Sequence, residues 1–129
     1  MKKNLKEQLI RDFPGMLRTE SKLFSISVGD GWFKLVYLAC AQLEKLGGVQ
    51  IKDIKEKFGA LDILLEGPEK ARDIAHEAWQ QSQAVCEWCG QPGGECNDYW
   101  IKTLCAEHRV AFARGENWWT NPDGTRKED

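Results

Sequence analysis

The chain has 129 residues, of which 42% are hydrophobic and 29% are charged, and its formal net charge is −2. This composition is typical of a globular protein, and it excludes a disordered polypeptide and the strongly basic balance of many nucleic-acid-binding domains. The N-terminal segment has no apolar run of the kind found in secretory signals, and no stretch reaches the ~20 apolar residues of a membrane span. These absences predict a cytoplasmic protein.

Two helices are predicted in the first third of the chain. The first ends at Pro14-Gly15, after apolar residues at helical spacing, namely Leu5, Leu9 and Phe13. The segment from Leu23 to Val28 is predicted to be extended. Asp30 is a suitable N-cap for the second helix, and Gly47-Gly48 is a strong stop for it. The apolar residues of this helix recur at i, i+3, i+4 and i+7 and are Trp32, Leu35, Val36, Ala39, Leu43 and Leu46.

A β-hairpin and a third helix follow. Residues 49–66 alternate between apolar and polar side chains on either side of Gly59, which lies in the predicted turn. The alternation shifts after Asp53, which indicates a bulge or an early end of the first strand. Pro68 suits the first turn of a helix, where its missing N–H costs nothing, and this helix is predicted to end near Ala84.

Four metal-ligating side chains occur at regular spacing near the C-terminus. Cys86 and Cys89 form a pair separated by two residues, and Cys105 and His108 form a second such pair, giving C-x2-C-x15-C-x2-H. Three thiolates and one imidazole suit tetrahedral Zn²⁺, and four protein ligands make a closed, structural site. The alternative is that the cysteines are free thiols or form a disulfide. In a reducing cytosol, short spacings favour metal ligands over disulfides.

The surroundings of these ligands predict a treble-clef-like module. Tyr99 to Leu104 is predicted as a strand leading to the second ligand pair, and Arg109 to Arg114 as a helix that starts at it. The predicted fold class is therefore α+β, with helices packed on a β-hairpin, followed by a small zinc module. The expected organisation is a helix–hairpin–helix unit over residues 1–84, a zinc-binding module over 85–114 and a tail over 115–129.

Other candidate chemical groups have simpler interpretations. Cys96 is either a free cysteine in the loop between the ligand pairs or a replacement for His108 as the fourth ligand. Cys40 is interpreted as a small core residue. His76 is followed by Glu77, but no second histidine completes a zinc-protease motif. No phosphate-binding loop or nucleophile elbow is present, so we predict no catalytic residues.

Two groups of side chains are candidates for partner binding. The lysines of the hairpin form either a solvated face or a phosphate contact for nucleic acid, and they are Lys52, Lys55 and Lys57. The tryptophans around the zinc module exceed what a small core needs and are candidates for a protein-binding surface, because tryptophan is enriched at binding hot spots. They are Trp88, Trp100, Trp118 and Trp119.

Four segments carry a resemblance to a known family. They are Gly29 to Phe33, Lys55 to Leu61, Ser82 to Gly93 and Trp100 to His108, in that order. These segments resemble those of small, mostly uncharacterised proteins encoded by phages and prophages. The resemblance implies a helix–hairpin–helix unit with a zinc module, made in the bacterial cytoplasm during phage carriage or infection. It implies no established activity, and Cys96 and the Asp123-Gly124-Thr125 tail lie outside the shared pattern.

Three classes of function are compatible with these features. The leading hypothesis is a non-enzymatic, zinc-stabilised accessory protein that binds another protein and modulates or inhibits it. A host enzyme or an antiphage-defence component is suggested as that partner by the phage context alone. The alternative is a nucleic-acid-binding zinc protein that contacts phosphates through the hairpin lysines. An enzyme is the least supported class, because it needs an open metal position or a cleft with convergent acids and bases.

Overall fold

The computed structural model of the chain describes residues 1–17, 24–121, 123 and 125–127. Within these ranges the fold is mixed α+β, as predicted. The helices are α1 (Lys3–Asp12), α2 (Phe33–Leu46), α3 (Glu69–Ser82) and α4 (Ala106–Ala113). The strands are β1 (Ile26–Ser27), β2 (Gln50–Lys57), β3 (Ala60–Glu66), β4 (Gly94–Asn97) and β5 (Ile101–Leu104). None of the described helices is both long and apolar enough to cross a lipid bilayer.

The predicted hairpin provides strands β2 and β3 of a three-stranded sheet in the order β1-β2-β3, in which β2 is central. Strands β2 and β3 are antiparallel, and their register shifts between Ile51 and Asp53, which confirms the predicted bulge. The connecting loop is Phe58-Gly59, with φ angles of 53° and 81°. Two successive positive φ angles are the signature of a type I′ turn, whose twist matches that of the strands.

Strand β1 extends this sheet by pairing in parallel with β2, so that Ile26 lies opposite Ile54. It covers the second half of the segment predicted to be extended, whereas Leu23 lies outside the described residues. Asp30 does not cap α2. It begins a short 3-10 turn, Asp30–Trp32, and its carboxylate accepts the backbone N–H of Lys2 at the start of α1, at 2.7 Å. This prediction was wrong because α2 begins only at Phe33, after the 3-10 turn, and its N-cap residue is Trp32.

The main core lies between this sheet and the first three helices. Helix α2 buries one stripe at i, i+3, i+4 and i+7, namely Val36, Ala39, Cys40 and Leu43. Helix α3 buries small residues, which allow it to lie close to β3. The Ser82 hydroxyl accepts the backbone N–H of Leu61 at 2.8 Å and so ties the last turn of α3 to that strand.

The segment that carries Cys105 and His108 forms a small hairpin and a helix of its own. Strands β4 and β5 are antiparallel, and α4 begins directly after Cys105. The small core of this module contains Cys86, Cys96, Leu104 and Phe112. Cys96 lies in β4 rather than in a loop, and α4 begins three residues before the predicted Arg109, at Ala106.

The 3-10 turn and the Cys86–Cys89 segment are in direct backbone contact. Gly31 N–H donates to the carbonyl of Glu87 at 2.8 Å, and the Trp32 indole N–H donates to the carbonyl of Val85 at 2.8 Å. A Cβ at Gly31 would overlap Cys86 O and would lie 2.7 Å from Cys89 N. Glycine is therefore required here because no side chain fits between the two backbones.

The hairpin of the main sheet also holds the ligand-bearing module. The Thr103 hydroxyl donates to the carbonyl of Gly59 at 2.6 Å, and both groups are buried. The carbonyl of Thr103 in turn accepts the N–H of Glu87 at 3.1 Å. Strand β5 consequently lies between the Phe58-Gly59 turn and the first ligand pair, and it fixes their relative positions.

We expect Gly31→Ala to destabilise the protein by about 1–3 kcal/mol or more, because the added methyl group must displace the backbone next to Cys86. Gly15→Ala is the matched control, since a Cβ there meets nothing within 4 Å. That variant should change stability by less than about 0.5 kcal/mol. Urea unfolding of both variants measures the difference, and equal stabilities would show that the backbone contact is not close.

Candidate metal centre and adjoining aromatic cavity

Cys86, Cys89, Cys105 and His108 lie together, with one donor atom from each within 4.8 Å of the others. The Nδ1 atom of His108 is 3.5 Å from Cys86 Sγ and 3.3 Å from Cys105 Sγ, and Cys89 Sγ is 3.9 Å from Cys105 Sγ. In a tetrahedron with ordinary Zn–S and Zn–N bonds, the edges are about 3.8 Å between sulfurs and about 3.6 Å between sulfur and nitrogen. The four side chains predicted as ligands can therefore hold a metal ion.

Local backbone structure brings each pair of ligands together. Cys86 and Cys89 flank a tight turn, closed by the Gly90 N–H donating to Cys86 O at 2.9 Å. Gly90 has a φ of +80°, a conformation that favours glycine. Cys105 is the N-cap residue of α4 and His108 lies in the first turn of that helix, so their side chains point to the same side.

The two ends of the cluster differ in their electrostatic environment. Burial raises the pKa of the Cys86 thiol to about 11. Burial also acts to raise the pKa of Cys105, but the backbone N–H of His108 and neighbouring thiols outweigh it and lower this pKa overall. Because a metal binds thiolates, its entry releases the proton of Cys86, and metal affinity should rise with pH.

Trp88 belongs to the core of the metal-binding module. Its ring lies 4.9 Å from that of His108 and meets Phe112 edge-on, with ring centroids 6.5 Å apart. It is half-buried, and its indole N–H is buried without a hydrogen-bond partner among the described residues. Trp88 was predicted to bind a partner with the other tryptophans; its ring lies against His108, and its contact with a partner stays a prediction.

The remaining cysteines and the second histidine lie outside the cluster. The donor group contains His108 and not Cys96, which is 3% exposed and pairs with Lys102 across the β4–β5 hairpin. Cys40 is buried on α2, as predicted. His76 is exposed and stacks on Trp79, with ring centroids 5.4 Å apart.

A buried ion triad adjoins the ligand turn. Lys102 Nζ lies 2.9 Å from Glu56 Oε1 and 3.2 Å from Glu87 Oε1, and the three side chains are 6%, 14% and 1% exposed. Burial raises the pKa of Glu87, although Lys102 opposes this shift. Burial acts to lower the pKa of Lys102, but its two carboxylate neighbours raise it overall. One ammonium group thus holds the hairpin and the ligand turn together.

The Glu87 carboxylate contacts both Gly29, just before the 3-10 turn, and Lys102 on strand β5. Its Oε2 atom accepts the N–H of Gly29 at 3.1 Å. Its Oε1 atom is buried and lies 3.2 Å from the Lys102 ammonium, which is its charged partner. Glu87 and Lys102 were not predicted as site residues. A signal was present for Lys102, because it shares its face of strand β5 with the buried Leu104.

The triad forms the floor of an open cavity of about 470 Å³. Its walls are aromatic and consist of Tyr99, Trp100, Phe112, Trp118 and Trp119. Tyr99 and Trp100 also line a second cavity of about 420 Å³, together with Phe58 of the hairpin turn. Phe58, Trp100 and Tyr99 are 74%, 63% and 60% exposed. A count of tryptophans could not identify Phe58 and Tyr99 as surface residues. Their exposure depends on the turn between β2 and β3 and on the β4–β5 hairpin.

The predicted tail contributes to these walls through its own folded loop. Lys127 N–H donates to the carbonyl of Trp119 at 2.7 Å, and Thr120 pairs with Arg126. The rings of Trp118 and Trp119 meet edge-on, 5.2 Å apart. Three of the four tryptophans predicted to bind a partner, Trp100, Trp118 and Trp119, therefore line the same cavity.

The hairpin lysines are distributed along β2 beside acidic side chains. Lys52 Nζ lies 2.8 Å from Glu66 Oε1, and Lys55 Nζ lies 4.0 Å from Asp53 Oδ2. Lys57 lies 6.0 Å from the centre of the Phe58 ring. These contacts favour the interpretation of a solvated face, and the predicted phosphate contact stays a prediction.

The chain has no significant match among models of known protein families, curated proteins or solved structures. Function is therefore inferred from the two features described above. One is the cluster of four metal-ligating side chains, and the other is the aromatic cavity with the ion triad at its floor.

The ligand assignment predicts different metal contents for different variants. We expect Cys89→Ser and His108→Ala to lose a bound metal ion such as zinc, because three donors hold an ion far more weakly than four. Cys96→Ser is the control and should keep it. Elemental analysis of protein purified without chelator measures the content, and zinc retained in His108→Ala but lost in Cys96→Ser would make Cys96 the fourth ligand.

The ion triad predicts that two lysine substitutions differ in how much they lower the stability of the protein. Lys102→Met leaves Glu56 and Glu87 without their shared cation. We expect this to lower the free energy of unfolding by about 3–5 kcal/mol. Lys52→Met breaks an ion pair of similar length whose side chains are 50% and 68% exposed. This control should cost about 1 kcal/mol or less. Similar losses in denaturant unfolding would show that the triad is solvated.

Proposed function

We propose that the cluster of Cys86, Cys89, Cys105 and His108 binds one structural Zn²⁺ ion in a treble-clef-like module. The edge lengths between the donor atoms support zinc, and so does the donor set of three sulfurs and one nitrogen. Four protein ligands leave no position for water or substrate. The ion would therefore stabilise the β4–β5 hairpin and α4 rather than carry out hydrolysis.

We further propose that the protein is non-enzymatic and acts by binding another protein through its aromatic surface. This surface consists of Phe58, Tyr99, Trp100, Trp118 and Trp119. The observation that carries the proposal is that these five rings line two cavities that share Tyr99 and Trp100, with three of the rings' residues at least 60% exposed. Exposed apolar surface is costly in water, and clustered tryptophan and tyrosine side chains are typical of binding hot spots.

The conformation of the hairpin turn supports the same proposal. Phe58 is the only non-glycine residue with a positive φ angle in the described ranges. A bulky side chain in this conformation is strained, and asparagine or glycine is preferred at that position of a type I′ turn. The ring contributes little to the core, since 74% of it is exposed. Such local strain is common at ligand-binding sites.

A bacterial host or antiphage-defence protein is the proposed partner on the basis of the sequence resemblance alone. In that case, occupying a surface of the partner would be enough to modulate or inhibit it. Nucleic-acid binding is the less favoured alternative, because Lys52 and Lys55 lie beside carboxylates and the cavity floor carries two more. Binding dominated by phosphates would weaken steeply with salt.

The proposal is tested by affinity capture from nuclease-treated bacterial lysate, with the intact chain as bait. We expect Trp100→Ala and Trp119→Ala each to weaken capture of the partner by about tenfold or more, as for a hot-spot residue. Trp79→Ala is the matched control, because Trp79 and Trp119 are 39% and 40% exposed but Trp79 lies on α3. Equal loss of capture with all three variants, or no loss of capture with any of them, would contradict binding through the aromatic surface.

A further inference from the structure

We propose that the 470 Å³ cavity receives a cationic side chain of the partner protein, an arginine guanidinium. This inference rests on the proposed function and specifies the chemistry that the aromatic surface recognises. Three features carry it, which are the charge of the floor, the partly exposed carboxylate of Glu56 and the aromatic walls.

The floor has an excess of negative charge. Glu56 and Glu87 share the single ammonium group of Lys102, which gives the triad a formal charge of −1. The other charged residues at the cavity, Lys55 and Glu116, each face an opposite charge outside it: Lys55 lies 4.0 Å from Asp53, and Glu116 lies 3.0 Å from Arg114. The triad therefore sets the charge of the cavity, which attracts a cation and repels a phosphate.

A carboxylate at this floor is able to accept from a ligand. Glu56 lines the cavity and is 14% exposed, and one of its oxygens accepts from Lys102 Nζ at 2.9 Å, so the carboxylate keeps further lone pairs for a second donor. Glu87 adds negative charge but is 1% exposed, with its Oε1 atom 3.2 Å from the Lys102 ammonium. A guanidinium group offers five N–H donors in a fixed plane.

The walls complete a site for a flat cation. Lys102 Nζ already lies 5.9 Å from the centre of the Phe112 ring, so the floor contains one cation–π contact. Tyr99 stacks on Phe112 with ring centroids 4.9 Å apart, and Trp100, Trp118 and Trp119 line the same cavity. Arginine stacks on aromatic faces and pairs with carboxylates in two-point contacts, whereas lysine provides only a point charge.

The experiment titrates the intact, zinc-loaded protein with N-acetylarginine N-methylamide and follows the indole N–H signals by ¹⁵N NMR. We expect saturable shifts of the Trp100, Trp118 and Trp119 signals, with the Trp79 signal unchanged. The corresponding citrulline amide is the matched ligand control, because it has nearly the same shape without the charge. It should bind about tenfold more weakly, since it lacks the charge-assisted contact.

Two variants separate the site from nonspecific binding. Glu56→Gln reduces the charge of the floor, and Trp100→Ala removes an exposed wall without touching the core. Each should weaken binding of the arginine amide by about threefold to tenfold. Equal binding of the citrulline amide, equal shifts at Trp79, or the absence of saturable shifts would overturn the proposal. So would a single-stranded oligonucleotide that shifts the same signals at lower concentration.

The outcomes distinguish this inference from the broader proposal of protein binding. If Trp100→Ala abolishes capture of a partner while the arginine amide does not bind the free protein, the aromatic surface binds proteins but its cavity does not select a cation. If the amide binds as expected and capture does not depend on Trp100, the cation site is present and the proposed function is wrong.

Discussion

The close backbone contact between Gly31 and the turn from Cys86 to Cys89 fixes the ligand turn against the main core. It leaves no space for a side chain at Gly31, and Trp32 next to it lies fully buried in the main core. The ligand turn is thus joined through a single residue to the largest side chain of that core. The metal-binding module has only a small apolar core of its own, so its geometry depends on this contact and on the ion that its ligands can hold.

Glu87 lies between two ligand cysteines and connects the metal centre to the aromatic cavity. The turn that directs Cys86 and Cys89 to one point also directs the Glu87 carboxylate away from them, towards Gly29 and Lys102. The floor of the cavity is therefore built on the same few residues as half of the ligand set. A structural ion in this position would support a binding surface formed by other residues, without taking part in recognition itself.

Local patterns predicted the features that depend on nearby residues. Helical spacing gave α2 and its stop at Gly47, alternation gave the hairpin and its bulge at Asp53, and ligand spacing gave the four donors. The patterns failed where contacts between residues far apart in the sequence determine the structure. The sequence predicted an extended segment at β1 but not its parallel pairing with β2, and the Asp30 carboxylate accepts an N–H at a helix start 28 residues earlier. The burial of Lys102 also follows from tertiary packing, since two carboxylates from other elements surround it.

The long sequence separation of the central contact has a consequence for synthesis. The hydrogen-bond acceptors of Trp32 and the Gly29–Gly31 turn lie 53–58 residues later, at Val85 and Glu87. A ribosome-bound chain that ends before these residues exposes the indole N–H and the glycine amides to water. The N-terminal helices and sheet are then an incomplete intermediate, and folding finishes only after the last third of the chain has emerged.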